Sequence, residues 1–276
     1  MIRQLFAYVF ALCVVAPLVQ AEAVPERVAP LVAELRLDEL GEILTEEGLS
    51  YGRALGTDFL PGRDQGAWMQ AVGRIYETGR ITQTLGKSLN DGLGKDALDE
   101  VMAFIGSDEG RRLISLELDV RRAFLDHSIE EAARAEFRTR AEQGDDRLAL
   151  VTRFIEANDL IESNVAGGLT SNAAFFLALL DGGTPGMQLT TDQILRDVAG
   201  QEDDIRADTT EWVSAYLLLA YGPLSDAELE AYIAFSETDA GQAFNAAYFA
   251  GFDTLFAEIS RALGLALAQQ LSAQEL

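Results

Sequence analysis

The chain has 276 residues, of which 49% are hydrophobic and 24% charged, values typical of a globular protein with one or two domains. It carries 45 acidic against 21 basic residues, a formal net charge of −24. Such a field repels nucleic acid and anionic membrane surfaces, so neither is expected as a partner. The single cysteine is Cys13. Thiol catalysis and thiolate metal sites are therefore excluded from the rest of the chain.

Residues 1–21 have the layout of a secretory signal peptide. Arg3 precedes an apolar run, and Val19-Gln20-Ala21 places small residues at the positions that a signal peptidase requires. The apolar run is shorter than a typical membrane-spanning helix, and Pro17 interrupts it. The alternative is a retained membrane anchor. We expect cleavage after Ala21, a periplasmic mature protein and no transmembrane segment after cleavage.

Few runs alternate between apolar and polar residues, and prolines are scarce, so the sequence predicts an all-α fold. We expect Ser128 and Glu131 to form a capping box, and Thr190 and Gln193 to form another. Residues 202–204 are expected to be an exposed acidic run. The predicted helices before the last pair cover residues 31–59 (one or two helices), 66–76, 80–93, 93–126 (two helices), 128–143, 148–180 and 211–221.

Residues 224–264 predict two further helices with a short break. Ser225 and Glu228 form a capping-box pattern, and Thr238 is a plausible N-cap for the last helix. At 100° per residue, the aromatic and aliphatic residues of that helix share one wide arc. Such an arc is typical of a helix that faces a core or a partner. Within it, Tyr248, Phe252 and Phe256 are the candidate partner or ligand surface.

Two parts of the chain resemble each other. Residues 93–126 match the stretch that begins at residue 224 at a constant offset, and residues 41–55 resemble 160–175 at a shorter offset. These matches predict a helical bundle built from two similar multi-helix halves, residues 22–143 and 144–276, which may also pack as one domain. The alternative is a coincidence between helices rich in leucine and alanine.

The motif at Pro223-Leu224-Ser225-Asp226-Ala227-Glu228-Leu229, followed by Ala234-Phe235-Ser236 and Gly241, resembles a known family. It is similar to domain-of-unknown-function family 2059, which consists of helical exported bacterial proteins. The resemblance implies an all-helical fold and a periplasmic setting, and it implies no catalytic or ligand residues. The family often has an aromatic residue and a proline where this chain has Ser236 and Thr238-Asp239.

No phosphate-binding loop, dinucleotide fingerprint, zinc-protease motif or calcium loop occurs in the sequence. We therefore expect no cofactor and no metal. His127 is the only histidine, and it is predicted to be an exposed turn residue rather than a catalytic base.

Glu117 and Arg121 lie four residues apart, in the middle of the apolar arc of their predicted helix. We predict that they form a substantially buried ion pair, which could also grip a charged ligand. The alternative is a helix rotated so that both are exposed.

The sequence favours a non-catalytic, exported helical protein that binds a partner, expected to be another periplasmic protein, or supports the envelope. One alternative is a carboxylate-dependent hydrolase acting on the cell wall. Another is a carrier of an apolar small ligand between the two halves. A pocket lined by Tyr248, Phe252 and Phe256 would favour the carrier, and two facing carboxylates would favour the hydrolase.

Overall fold

The computed structural model describes residues 23–62, 65–184, 186 and 188–272, so the predicted signal peptide lies outside the described residues. This part of the chain folds into α-helices and contains no strand, which confirms the all-α prediction. The helices are α1 Ala29–Glu34, α2 Leu37–Phe59, α3 Gly66–Ile75, α4 Thr78–Gly92, α5 Lys95–Ile105, α6 Asp108–Ala123, α7 His127–Gln143, α8 Asp146–Ala157, α9 Leu160–Asp181, α10 Thr191–Ala199, α11 Glu202–Tyr221, α12 Asp226–Ser236 and α13 Asp239–Ser272.

Two hydrophobic clusters hold the bundle together. The first combines α1 to α5 with α13 and the end of α9, and the second combines α8, α11 and α12. Helix α6 belongs to both, since Ile114 and Leu118 enter the first cluster while Leu113 and Val120 enter the second. Each cluster thus draws residues from both sides of the predicted boundary at residues 143/144.

Helix α13 is the longest element and packs against α9, α4, α5 and α3. Leu255, Ile259, Leu263 and Leu267 recur every four residues and are at most 2% exposed, so this side of the helix is core. A glycine permits the close approach of α9, because a Cβ on Gly264 would lie 2.4 Å from the carbonyl oxygen of Phe175.

The single long helix predicted for residues 148–180 is wrong, since α8 and α9 are separate helices. Asp159 adopts a left-handed conformation with a φ of 50° at the junction. Contacts from α13 explain the break. Gln242 donates a hydrogen bond to the carbonyl of Ala157 at 2.8 Å, and Asn245 donates to the carbonyl of Asn158 at 2.7 Å. These distant amides satisfy carbonyl groups that the end of a helix leaves free.

The predicted capping boxes at Thr190 and Ser225 are confirmed. The box predicted at Ser128 is wrong, because Asp126 caps α7 by accepting a hydrogen bond from the backbone N–H of Ser128. The acidic run at residues 202–204 forms the first turn of α11, where negative charge is favoured by the helix dipole. The helix predicted for residues 211–221 therefore begins earlier than expected.

Several helices of the second half begin at similar offsets from helices of the first half. Helices α12 and α13 begin 131 residues after α5 and α6, and α9 begins 123 residues after α2. Ser107 and Thr238 each accept a hydrogen bond from the N–H three residues later, both at 3.0 Å. Arg36 and Asp159, which precede α2 and α9, are the non-glycine residues with positive φ in the described ranges. These similarities agree with two related halves, which stay a prediction.

Helix α9 is long and apolar enough, by length and composition alone, to cross a membrane, although it lies inside the chain and not at its start. In this fold it packs against α13, α11 and α10. Few of its side chains are fully buried, because one of its sides borders a cavity.

Candidate ligand-binding site

A cavity of about 550 Å³ lies where the two hydrophobic clusters meet. We call it the central cavity. Ile114 and Ile259 of the first cluster and Phe154 and Leu217 of the second contribute to its lining. Its lining also includes exposed residues, among them Asn164. The central cavity is therefore open to solvent and is large enough for a small molecule, since ligand pockets commonly span about 300–1,000 Å³.

One wall of the central cavity is an aromatic ladder on α13, formed by Phe244, Tyr248, Phe252 and Phe256. Successive rings are in contact, with centroid distances of 5.6, 4.9 and 5.7 Å. All four side chains are half-buried, unlike the leucines further along the helix. The predicted partner or ligand surface thus lies on a cavity wall, while Leu255, Ile259, Leu263 and Leu267 of the predicted arc are core.

Another part of the lining is a strip of small and polar residues on α9. Gly167 allows Asp253 of α13 to approach, because a Cβ at this glycine would lie 2.7 Å from the Asp253 Oδ1 atom. Small side chains along this strip leave the volume that the aromatic ladder does not fill. The strip repeats every four residues and consists of Ser163, Asn164, Gly167, Gly168, Ser171 and Asn172.

Every tyrosine in the described residues lines the central cavity. Together they form a tyrosine cluster of six members: Tyr51, Tyr76, Tyr216, Tyr221, Tyr232 and Tyr248. The spacing of these residues in the sequence gives no indication that they converge, since they come from five separate parts of the fold.

Three of the six hydroxyls are directed at Glu117. The Tyr221 hydroxyl donates to Glu117 Oε1 at 2.7 Å, and the Tyr232 hydroxyl lies 3.5 Å from the same oxygen. The Tyr216 hydroxyl donates to the main-chain oxygen of Glu117 at 2.8 Å. Glu117 is therefore held from α11 and α12, with its carboxyl group at the cavity wall.

Glu117 Oε2 and the hydroxyls of Tyr51, Tyr76 and Tyr248 have no hydrogen-bond partner within the described residues. None of these four atoms is sealed from solvent, since the only buried side-chain atom left unpaired in this part of the chain is the Ser272 hydroxyl oxygen. Their four residues all line the central cavity. The cavity wall thus offers polar groups that a ligand could bind.

The predicted ion pair between Glu117 and Arg121 is wrong, although both residues lie on the inward side of α6. Arg121 Nε and Nη2 donate to the two carboxylate oxygens of Glu47 at 2.8 and 2.9 Å. This two-pronged geometry matches a guanidinium to a carboxylate better than a neighbour one turn away can. The guanidinium carbon also lies 5.6 Å from the centre of the Trp212 ring.

Burial is the largest influence on the pKa values of Glu117, Tyr216 and Arg121. It raises the pKa of Glu117 from 4.5 to about 7, although the hydrogen bonds from Tyr221 and Tyr232 act in the opposite direction. Burial, and then the negative charge of Glu117, raise the pKa of Tyr216 well above its usual value. For Arg121, burial disfavours the charge, but the pairing with Glu47 outweighs it and raises the pKa. Glu117 is thus the lining group that exchanges a proton near neutral pH.

Sequence analysis missed Glu47 and the tyrosine cluster. Glu47 lies 74 residues from Arg121, and no local pattern reports such a contact. A usable signal does exist in α9, where Ser-Asn, Gly-Gly and Ser-Asn recur every four residues from Ser163. Small residues on one side of an otherwise apolar helix indicate either close packing or free volume.

The other residues considered from the sequence lie away from the central cavity. His127 is 81% exposed at the start of α7 and lies within 4.0 Å of two glutamates on the same helix. The acidic run at residues 202–204 does not contribute to the lining. Across the described ranges, no group of three or more potential metal-ligating side chains is found.

Comparison with known proteins gives no match to a family model, to a curated protein or to a solved structure. The resemblance to domain-of-unknown-function family 2059 therefore rests on the motif at residues 223–241 alone.

Proposed function

We propose that the protein binds a small amphipathic molecule in the central cavity and performs no chemistry on it. The observation that carries this proposal is the convergence of all six described tyrosines on one open cavity. Phenol rings offer an apolar body and a polar tip, so they suit a site that holds a partly apolar molecule in one orientation.

The apolar part of such a molecule would lie along the aromatic ladder. Its four rings contact one another and are each half-buried, so part of their apolar surface borders the cavity. Covering this surface would be favourable at about 25 cal/mol per Å². This feature favours a small ligand over a protein partner, because the ladder faces an internal space.

The setting proposed for this activity is the periplasm. It is supported by the signal-peptide pattern of residues 1–21. An exported carrier or sensor of a small molecule fits this setting, as does a protein that delivers its ligand to another periplasmic protein.

The cell-wall hydrolase is a second candidate, favoured by one observation. A carboxyl group with a pKa near 7, such as Glu117, is suited to act as a general acid. A second carboxylate is needed, and within the described residues Asp253 is the other acidic residue of the lining. Hydrolysis of purified peptidoglycan that is lost in Glu117→Gln would favour this candidate over ligand binding alone.

The binding proposal is tested with the neutral apolar dye N-phenyl-1-naphthylamine, whose fluorescence rises when it leaves water. We expect saturable binding to the wild-type protein. Ser171→Phe should abolish the binding by filling the cavity from α9, since Ser171 lines it. Thr170→Phe adds the same ring at the exposed neighbouring position and should bind the dye normally. Equal binding by both variants, or none by the wild type, would contradict the proposal.

A further inference from the structure

The polar end of the central cavity indicates the chemical class of its ligand. Among the described residues, the charged members of the lining are Glu117, Arg121 and Asp253. Arg121 is the one cation among them, and two of its three guanidinium nitrogens are bound to Glu47. Its charge is therefore balanced, and the charge that remains on the lining is negative.

Glu117 offers a free position to a ligand. Its Oε1 atom is held by Tyr221, while its Oε2 atom has no partner in the described part of the chain and is not sealed from the cavity. In its ionised form, which prevails at pH 8, the Glu117 carboxylate can only accept hydrogen bonds, so the group that completes this site at that pH is a donor. A charged donor forms a stronger hydrogen bond with a carboxylate than a neutral donor does, so it would bind more tightly here.

The aromatic surroundings favour the same conclusion. Tyr216, Tyr248 and Trp212 also line this region, and the negative faces of such rings attract cations. The net charge of −24 further attracts cationic molecules towards the protein.

We infer that the ligand of the central cavity is a cationic amphipath, with an ammonium group bound at Glu117 Oε2 and an apolar body along the aromatic ladder. This inference rests on the proposed ligand-binding function. It assigns the head-group specificity to Glu117 and the apolar contacts to α13. An anionic head would instead meet Glu117 and the Glu47 carboxylate that already occupies Arg121.

The inference is tested with three probes that share one chain length and differ in head group: decylamine, 1-decanol and decanoate. Their affinities are measured by isothermal titration calorimetry at pH 8, below their critical micelle concentrations. We expect decylamine to bind the wild-type protein about tenfold more tightly than 1-decanol, as a charge-assisted hydrogen bond implies. Decanoate should bind most weakly.

Two variants test whether Glu117 causes the preference for decylamine. Glu117→Gln keeps the shape and one acceptor but removes the charge, so decylamine should bind it no more tightly than 1-decanol. Asp119→Asn removes one charge from the exposed side of the same helix and should preserve the preference for decylamine. Melting curves of both variants establish that they are folded.

The possible outcomes separate the inference from the proposal beneath it. If 1-decanol or decanoate binds the wild-type protein as tightly as decylamine, the inference fails while ligand binding stands. If the preference for decylamine persists in Glu117→Gln, the assignment to Glu117 fails. If none of the three probes binds, both the inference and the proposed function are refuted.

Discussion

Replacing Glu117 with glutamine should stabilise the protein at alkaline pH. The pKa of Glu117 is raised from 4.5 to about 7 by burial, so the folded state holds its proton more tightly than the unfolded chain. Well below pH 4.5 both states are protonated and the residue has no effect. As the pH rises towards 7 the unfolded chain loses this proton first, so stability is lost over that interval and then remains constant.

The magnitude follows from the two pKa values. At about 1.4 kcal/mol per pH unit, the interval between 4.5 and about 7 corresponds to a destabilisation of about 3 kcal/mol at pH 8. At pH 5 the same relation gives a destabilisation of less than about 1 kcal/mol. Glutamine lacks the ionisation and keeps an oxygen that can accept from Tyr221, so the variant should be more stable by these amounts.

Urea denaturation followed by circular dichroism at several pH values measures this difference. The titratable groups that interact with Glu117 are tyrosines of α11, α12 and α13, and all of them are present in both proteins. Asp119→Asn serves as the control and should follow the wild type throughout. A Glu117→Gln protein that is no more stable than the wild type at pH 8 would show that the carboxyl is not held in a desolvated environment.

Four further predictions follow from the structure. Arg121→Leu and Glu47→Leu should each lower the free energy of unfolding by about 2 kcal/mol. This loss is below the range for fully buried ion pairs because both side chains are partly exposed. The double variant should recover most of the loss, and additive losses in the double variant would argue against the pair. Phe252→Ala should reduce stability by less than the roughly 3–5 kcal/mol typical of a buried phenylalanine, because Phe252 is half-buried. The variant should nevertheless bind the dye more weakly. A loss of stability within the full range for a buried phenylalanine would place Phe252 in the core. Protein recovered from a periplasmic extract should begin at Glu22 by intact-mass measurement, and a mass that retains residues 1–21 would refute cleavage. His127→Ala should bind the probes like the wild type, and a loss of binding in the folded variant would extend the site to α7.

The parts of the fold that the sequence predicted are those that local interactions determine. The caps at Thr190 and Ser225 require only the four residues of each box. The inward direction of Glu117 and Arg121 followed from helical periodicity, which depends on their own helix alone.

The parts that sequence analysis missed depend on contacts between distant elements. The break at Asp159 is stabilised by side chains of α13, and the partner of Arg121 comes from α2. Local patterns carry no information about such contacts. The central cavity is a similar case, because its lining combines residues of α2, α6, α8, α9, α11, α12 and α13.

The central claim is that the cavity between α9 and α13 holds a ligand. A crystal structure of the protein soaked with 10-bromo-1-decanol tests it most directly, because anomalous scattering locates the bromine atom without ambiguity. The probe is neutral, so the result does not depend on the head-group specificity assigned to Glu117. We predict a bromine peak inside the central cavity, next to the rings of Phe252 or Phe256. A cavity without a peak, with bromine found only on the outer surface, would contradict the account.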